Sequence, residues 1–258
     1  MVEASSSVEG FVVLRSHLFI EEQRRLVEST FQVHYENSID VKNEAALIKK
    51  FDLCKGASIS LNLGLKHCGA PLIQQTPYAA QLARNAFAVA AEHFASKKNE
   101  SVQDCSAIPH INALRRLAQE STSLTGIALL YGPCASMLPH YDSPTQPKQK
   151  HEWLVMFSCG HDVVYQLNNH KLTISSGDVV VMDAMNVLHA VLKVQPPSNE
   201  LNTQSDVNDL IGLPVQNSRL GILLWQAAES HPDNSSVRRK DRFTMEQDDD
   251  EIIGTLFD

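Results

Sequence analysis

Apolar residues change their spacing halfway along the chain, from helical intervals in the first half to short runs separated by turn residues in the second. Between residues 78 and 98, Leu82, Ala86, Val89, Ala90 and Phe94 fall three or four apart with no proline among them, which predicts a packing helix. His93 within it reads as an ordinary surface or core histidine. Residues 20–29 open with two glutamates and predict another helix, preceded by a short strand over residues 10–15. The polar stretch 96–106 predicts a loop. A short helix over 111–119 follows, whose Arg115 and Arg116 suit a solvated face better than a phosphate clamp.

From Leu124 the pattern is β-rich, with strands expected near 124–131, 137–142, 152–159, 162–167, 170–174, 179–183, 187–193 and 219–226. Short strands at this spacing predict a sandwich or barrel, and the expected architecture is a jelly roll. Residues 195–216 are rich in proline, asparagine and serine and read as a loop inserted between two core strands. The expected fold class is α+β, divided into an N-terminal extension with packing helices (1–120), a jelly-roll core (121–230) and a charged C-terminal tail (231–258).

Composition narrows the class of protein. At 258 residues and 43% hydrophobic, the chain is long enough to bury one sizeable core. With 22 basic against 30 acidic residues, its net charge of −8 provides no global field for nucleic acid, so a polyanion would need a local basic patch. Candidates are Lys148 and Lys150 in the loop 143–151, and the cluster 238–242. The five cysteines are odd in number and form no CxxC pair, which points to free thiols rather than a disulfide framework or thiolate zinc site. No basic leader followed by an apolar run opens the sequence, and no run is long enough to span a bilayer. A cytoplasmic or nuclear location is therefore expected.

The chemistry begins at His140-Tyr141-Asp142. On a strand, positions two apart share a face, so an imidazole and a carboxylate can converge on one cation. A second histidine from a later strand completes a 2-His-1-carboxylate triad that leaves adjacent coordination positions open. The spacing alone is not decisive, because His34-Tyr35-Glu36 and His231-Pro232-Asp233 repeat it. Only His140 lies in the β-rich half with strands and another histidine after it. That histidine is His189, which follows the apolar run 178–183, although a lone histidine there also suits a hydrogen-bonded core. Arg219 then opens an apolar strand. A guanidinium is costly to bury unless paired, and a ligand carboxylate gripped by its fork would offset that cost. An internal aspartate or a wet strand end is the alternative.

In this ordered set, with Tyr131-Gly-Pro133, Ser158-Cys-Gly160, Tyr165-Gln166 and residues 177–181, the chain resembles the AlkB-like Fe(II)- and 2-oxoglutarate-dependent dioxygenases over about residues 124–226. The resemblance implies a double-stranded β-helix (jelly roll) core, with the N-terminal extension over its mouth as a substrate lid. It implies Fe(II) held by His140, Asp142 and His189, with 2-oxoglutarate as co-substrate bound by Arg219 and the Tyr131 hydroxyl, and dioxygen as oxidant. The sequence departs from the family pattern on the last strand, where Gly221, Leu223 and Trp225 stand in place of Asn, Thr and a second arginine. Leu129 stands where asparagine is common.

The expected reaction converts 2-oxoglutarate and dioxygen to succinate and carbon dioxide while a substrate C–H bond is oxidised. If that carbon is the N-methyl group of a nucleobase in DNA or RNA, formaldehyde and the demethylated base result. A hydroxylase of a protein side chain or small metabolite is the alternative, favoured by the acidic balance and the altered last strand. A non-catalytic jelly-roll metal-binding protein is the third reading.

Overall fold

Runs of buried β-branched and aliphatic residues build two antiparallel sheets in the computed structural model. It describes residues 2–3, 10–37, 58–61, 77–100, 107–144, 149–195 and 218–227. In chain order the elements are β1 (Val2–Glu3), β2 (Phe11–Leu14), α1 (Ile20–Asn37), β3 (Ser58–Leu61), α2 (Pro77–Glu100), α3 (Ala107–Leu117), β4 (Leu124–Tyr131), β5 (Met137–His140), β6 (Trp153–Gly160), β7 (Asp162–Leu167), β8 (His170–Ile174), β9 (Val179–Asp183), β10 (His189–Gln195) and β11 (Arg219–Gln226). The larger sheet has the order β1-β2-β9-β6-β11-β4-β3 and the smaller one β5-β10-β7-β8. Together they form the expected jelly roll.

The larger sheet is covered on both faces, which explains why its central strands read as unbroken apolar runs rather than alternating ones. In β9, Val179 and Val181 join a core shared with the helices, while Val180 and Met182 join the core between the sheets. Strand β11 divides the same way: Leu220, Ile222 and Leu224 face the helices, and Leu223 and Trp225 face the inter-sheet core. The smaller sheet has a wet outer face. In β8 Lys171 and Thr173 are exposed between the half-buried His170 and Leu172 and the buried Ile174, the alternation expected of a one-sided strand.

Small side chains let α2 lie close over the sheet, with Ala79, Ala83, Ala86 and Ala90 fully or almost fully buried beside Phe87 and Phe94. At the start of α1, Glu22 accepts a hydrogen bond from the Phe19 amide at 2.8 Å, closing the first turn as a capping carboxylate. The segment before α1 is tied to the turn after β8: Arg15 pairs with the buried Asp178 at 2.8 Å, and the Leu18 amide donates to the Gly177 carbonyl. Gly177 has φ +85°, and a Cβ there would lie 2.6 Å from Gln23 Nε2, so glycine is required.

Several elements differ from the sequence expectation, α1 running on to Asn37 and α3 beginning at Ala107 among them. The predicted loop at 96–106 starts too early, because α2 continues to Glu100; a polar composition suits a helix end as well as a loop. The strand expected over 137–142 stops at His140. The one expected over 187–193 runs from His189 to Gln195. Strand β3, on the edge next to β4, has no counterpart in the sequence reading. Residues 101–106, the inserted loop from 196, Lys148, His231 and the basic cluster 238–242 lie outside the described residues.

Candidate metal centre

His140 ends β5 and His189 begins β10, and the two are register partners across the ladder that joins these strands. Their rings lie 4.3 Å apart between centroids. Asp142 follows β5 in irregular backbone, held by a 2.9 Å hydrogen bond from its amide to the Ala184 carbonyl. The sequence argument put His140 and Asp142 on one strand face. The structure brings them together differently, with the chain leaving the strand after His140 and the turn following β9 capturing Asp142.

Both imidazoles are oriented by their own backbone. His140 Nδ1 lies 2.8 Å from the Leu138 carbonyl and His189 Nδ1 lies 2.9 Å from the Val187 carbonyl. A carbonyl only accepts, so each Nδ1 carries the hydrogen and each Nε2 presents a lone pair, the tautomer a metal needs. Those Nε2 atoms lie 3.7 and 3.8 Å from Asp142 Oδ1. That is too long for a hydrogen bond, yet short enough for one ion at about 2.0–2.2 Å from each donor to bridge. His189 is 3% exposed, whereas His140 and Asp142 are 33% and 34% exposed, so the cluster is closed beneath and open to solvent on one side. Burial lowers the pKa of His189, opposed by its bond to the Val187 carbonyl and by Asp142, which favours the neutral ligand form.

Arg219 opens β11 directly opposite Tyr131 at the end of β4. Its side chain is completely buried, donating from Nε to Ser158 Oγ at 3.3 Å and from Nη2 toward Met156 Sδ at 3.8 Å. Among the described residues no carboxylate forms an ion pair with it. Burial pulls its pKa down, opposed by Tyr131, Tyr165, Cys159 and Asp162. Of the alternatives open in the sequence, a wet strand end is ruled out by the burial of Arg219, and the one aspartate that acts on it, Asp162, makes no ion pair with it. Tyr131 is buried as well, its hydroxyl lying 3.8 Å from Met137 Sδ, a weak acceptor.

Sequence reasoning missed the part played by Tyr165 and Ser158. Tyr165 lies on the inward face of β7, fully buried and within electrostatic reach of Tyr131, Arg219 and Asp142, so it lies between the guanidinium and the donor cluster. The inward phase of β7, with Val163, Tyr165 and Leu167 buried, was the available signal. Trp225 packs against the inter-sheet core, on the same side as Arg219, as the even step between them requires. Arg115 and Arg116 lie on an exposed helix face, Arg115 pairing with Glu92 at 3.2 Å. The other two repeats of the motif differ in context: residues 34 and 36 lie in helix α1 rather than on a strand, and His231 lies outside the described residues.

No protein-family model matches the sequence, and no curated protein does. Solved structures do match. That of OsALKBH1 aligns with a TM-score of 0.53 at 15% identity, covering 88% of this chain and all of the other. A prolyl-4-hydroxylase from Pseudomonas putida aligns with a TM-score of 0.40 at 13% identity, covering 87% and 95%. The viral collagen prolyl hydroxylase of Paramecium Bursaria Chlorella virus-1 aligns with 0.39 at 11%, covering 85% and 96%. No helix among the described residues is long and apolar enough to cross a membrane. At the level these similarities reach, the chain has the jelly-roll fold of OsALKBH1.

Proposed function

We propose that the chain is an Fe(II)- and 2-oxoglutarate-dependent dioxygenase, with iron on His140, Asp142 and His189 and 2-oxoglutarate bound beside it by Arg219 and Tyr131, next to Tyr165. The observation that carries this reading is the fully buried Arg219, which makes no ion pair with a described carboxylate, Asp162 acting on it only at longer range, and which shares the neighbourhood of Tyr165 with Asp142. A buried cation without an anion is expensive, and a ligand carboxylate supplies the missing charge. The donor set fits a divalent iron centre with open positions, since two neutral imidazoles and one carboxylate leave room for a chelating 2-oxo acid and dioxygen.

The chain's own residues have separable roles. Arg219 holds the distal carboxylate of 2-oxoglutarate, and Tyr131 donates its hydroxyl to the same molecule. Burial raises the pKa of Tyr131, so it stays a donor at neutral pH. The carbonyls of Leu138 and Val187 keep both imidazoles in the ligating tautomer. Bound iron supplies the activation of dioxygen that couples 2-oxoglutarate decarboxylation to oxidation of a substrate C–H bond.

The substrate reading is an N-methylated nucleobase, with segments of the N-terminal extension as the lid. Leu138 and Tyr141 flank His140 and are 84% and 55% exposed, giving the open side of the cluster an apolar and aromatic rim suited to an unstacked base. Lys150 is exposed close by in sequence. The test is succinate and formaldehyde release with N-methylated single-stranded oligonucleotides. Salt-sensitive stimulation of both is expected. Turnover that responds only to a peptide or small metabolite would move the substrate to the alternative class and leave the reaction type standing.

A further inference from the structure

His110 on α3, His151 just ahead of β6 and Asp183 at the end of β9 each offer a ligand atom, and these atoms lie within 4.8 Å of one another. The oxygenase chemistry proposed above uses none of the three. Asp183 is buried, and both its oxygens are engaged: Oδ1 accepts the Glu152 amide at 3.0 Å, and Oδ2 receives Asn186 Nδ2 at 2.8 Å and His151 Nδ1 at 2.5 Å. The His110 ring meets His151 edge-on, with centroids 4.7 Å apart and planes at 88°. Its Nδ1 is buried and has no hydrogen-bond partner.

A hydrogen-bonded aspartate–histidine pair accounts for His151 and Asp183 but leaves the His110 nitrogen unexplained. A buried polar atom without a partner is destabilising, and a cation is a partner to which a neutral imidazole nitrogen can donate its lone pair. We propose that His110, His151 and Asp183 form a second divalent transition-metal site, of the zinc type, with water completing the shell. Two imidazoles and one carboxylate are a common donor set for such an ion. On binding, the ion takes the place of the proton between His151 Nδ1 and Asp183 Oδ2, and the ring keeps one hydrogen on Nε2, so that His151 ligates as a neutral imidazole and any further proton leaves to solvent. The two donors must part to roughly 3 Å around an ion at about 2.0–2.2 Å. His151, 44% exposed, is the side chain free to make that adjustment.

The site would act as a clamp on the mount of the first cluster. Asp183 begins the turn between β9 and β10, and its carbonyl accepts the amides of Asn186 and Val187. From the same turn the Ala184 carbonyl holds the Asp142 amide, and the Val187 carbonyl holds His189 Nδ1. An ion on Asp183 therefore fixes the backbone that positions two of the three donors of the first cluster.

The proposal stands independently of the oxygenase reading, and metal counting tests it. The full chain, stripped by chelator, is titrated with Co(II) alone, whose visible absorption reports nitrogen and oxygen ligation. The wild type is expected to bind one equivalent more than His151→Ala, and one more than His110→Phe, which keeps the ring packing against Trp153 but removes both nitrogens. Asp142→Ala loses a different equivalent, so Asp142→Ala combined with His151→Ala loses two. Either single histidine variant, folded by circular dichroism, binding as many equivalents as the wild type would overturn the second site. So would a wild-type chain that binds no equivalent beyond the one lost in Asp142→Ala.

Discussion

Arg219 and Tyr131 are partners in the ladder between β11 and β4, and both side chains turn inward to the space between the sheets, where no carboxylate among the described residues meets the guanidinium. Gly221, two residues on and on the same face, makes the room: a Cβ there would lie 3.3 Å from Arg219 Nη1. The pairing places a buried cation beside a buried hydroxyl donor, an arrangement that costs stability by itself and gains it from a bound carboxylate.

Replacing Arg219 by Met is therefore expected to separate binding from folding. Removing a buried charge that no ion pair offsets leaves the ligand-free chain as stable as the wild type or more so. Affinity for 2-oxoglutarate falls by about 2–5 kcal/mol, roughly 30-fold to several-thousand-fold, with metal binding unchanged. Thermal melts with and without 2-oxoglutarate check both halves, since the wild type gains a ligand-dependent shift that the variant lacks.

Much of this arrangement was legible in the sequence because a few constraints act locally. Short apolar runs bounded by turn residues, read with the two-residue step of a strand, define strands 124–131, 162–167, 170–174, 179–183 and 219–226 to the residue. The inward phase of β11 follows from the same rule and puts Arg219 and Trp225 on one face. The route by which Asp142 reaches His140 was not legible, because it depends on the Ala184 carbonyl, contributed by a turn more than 40 positions later and independent of side-chain identity. Tyr165, although part of the family-like pattern, was given no role for a related reason: a tyrosine on a buried strand looks the same in sequence whether it fills space or lies beside a binding site. His110, His151 and Asp183 come from three separate elements, so no spacing announces them.

Two glycines of the central ladder should respond very differently to a methyl group. At Gly126 a Cβ would lie 2.1 Å from the Leu223 carbonyl oxygen, backbone that cannot move without breaking the β4–β11 pairing. Gly126→Ala is expected to destabilise the fold by about 3 kcal/mol or more, read as a lowered denaturant midpoint. Gly221→Ala instead crowds only the end of the Arg219 side chain. Its denaturant midpoint is expected to stay near the wild type while the KM for 2-oxoglutarate rises.

Alkaline stability should carry the signature of Cys159. Burial pushes this thiol from 9.0 up to about 12, so above pH 9 the unfolded chain releases a proton that the native chain keeps. The native state then binds more protons than the unfolded one, and stability falls as pH rises through this window. Between pH 8 and 10 the denaturant midpoint of the wild type is expected to decline more steeply than that of Cys159→Ala. Equal slopes would mean that the thiol titrates normally in the fold.

The most direct test of the account is succinate formed from 2-oxoglutarate by the purified chain in air with added Fe(II), compared with Asp142→Ala and His189→Ala. The wild type is expected to release succinate in an iron-dependent, chelator-sensitive manner, and each variant is expected to release none above background. Undiminished succinate formation by either variant, or none from a folded, iron-loaded wild type given 2-oxoglutarate, would contradict the assignment of this cluster as the iron centre of a 2-oxoglutarate-dependent dioxygenase.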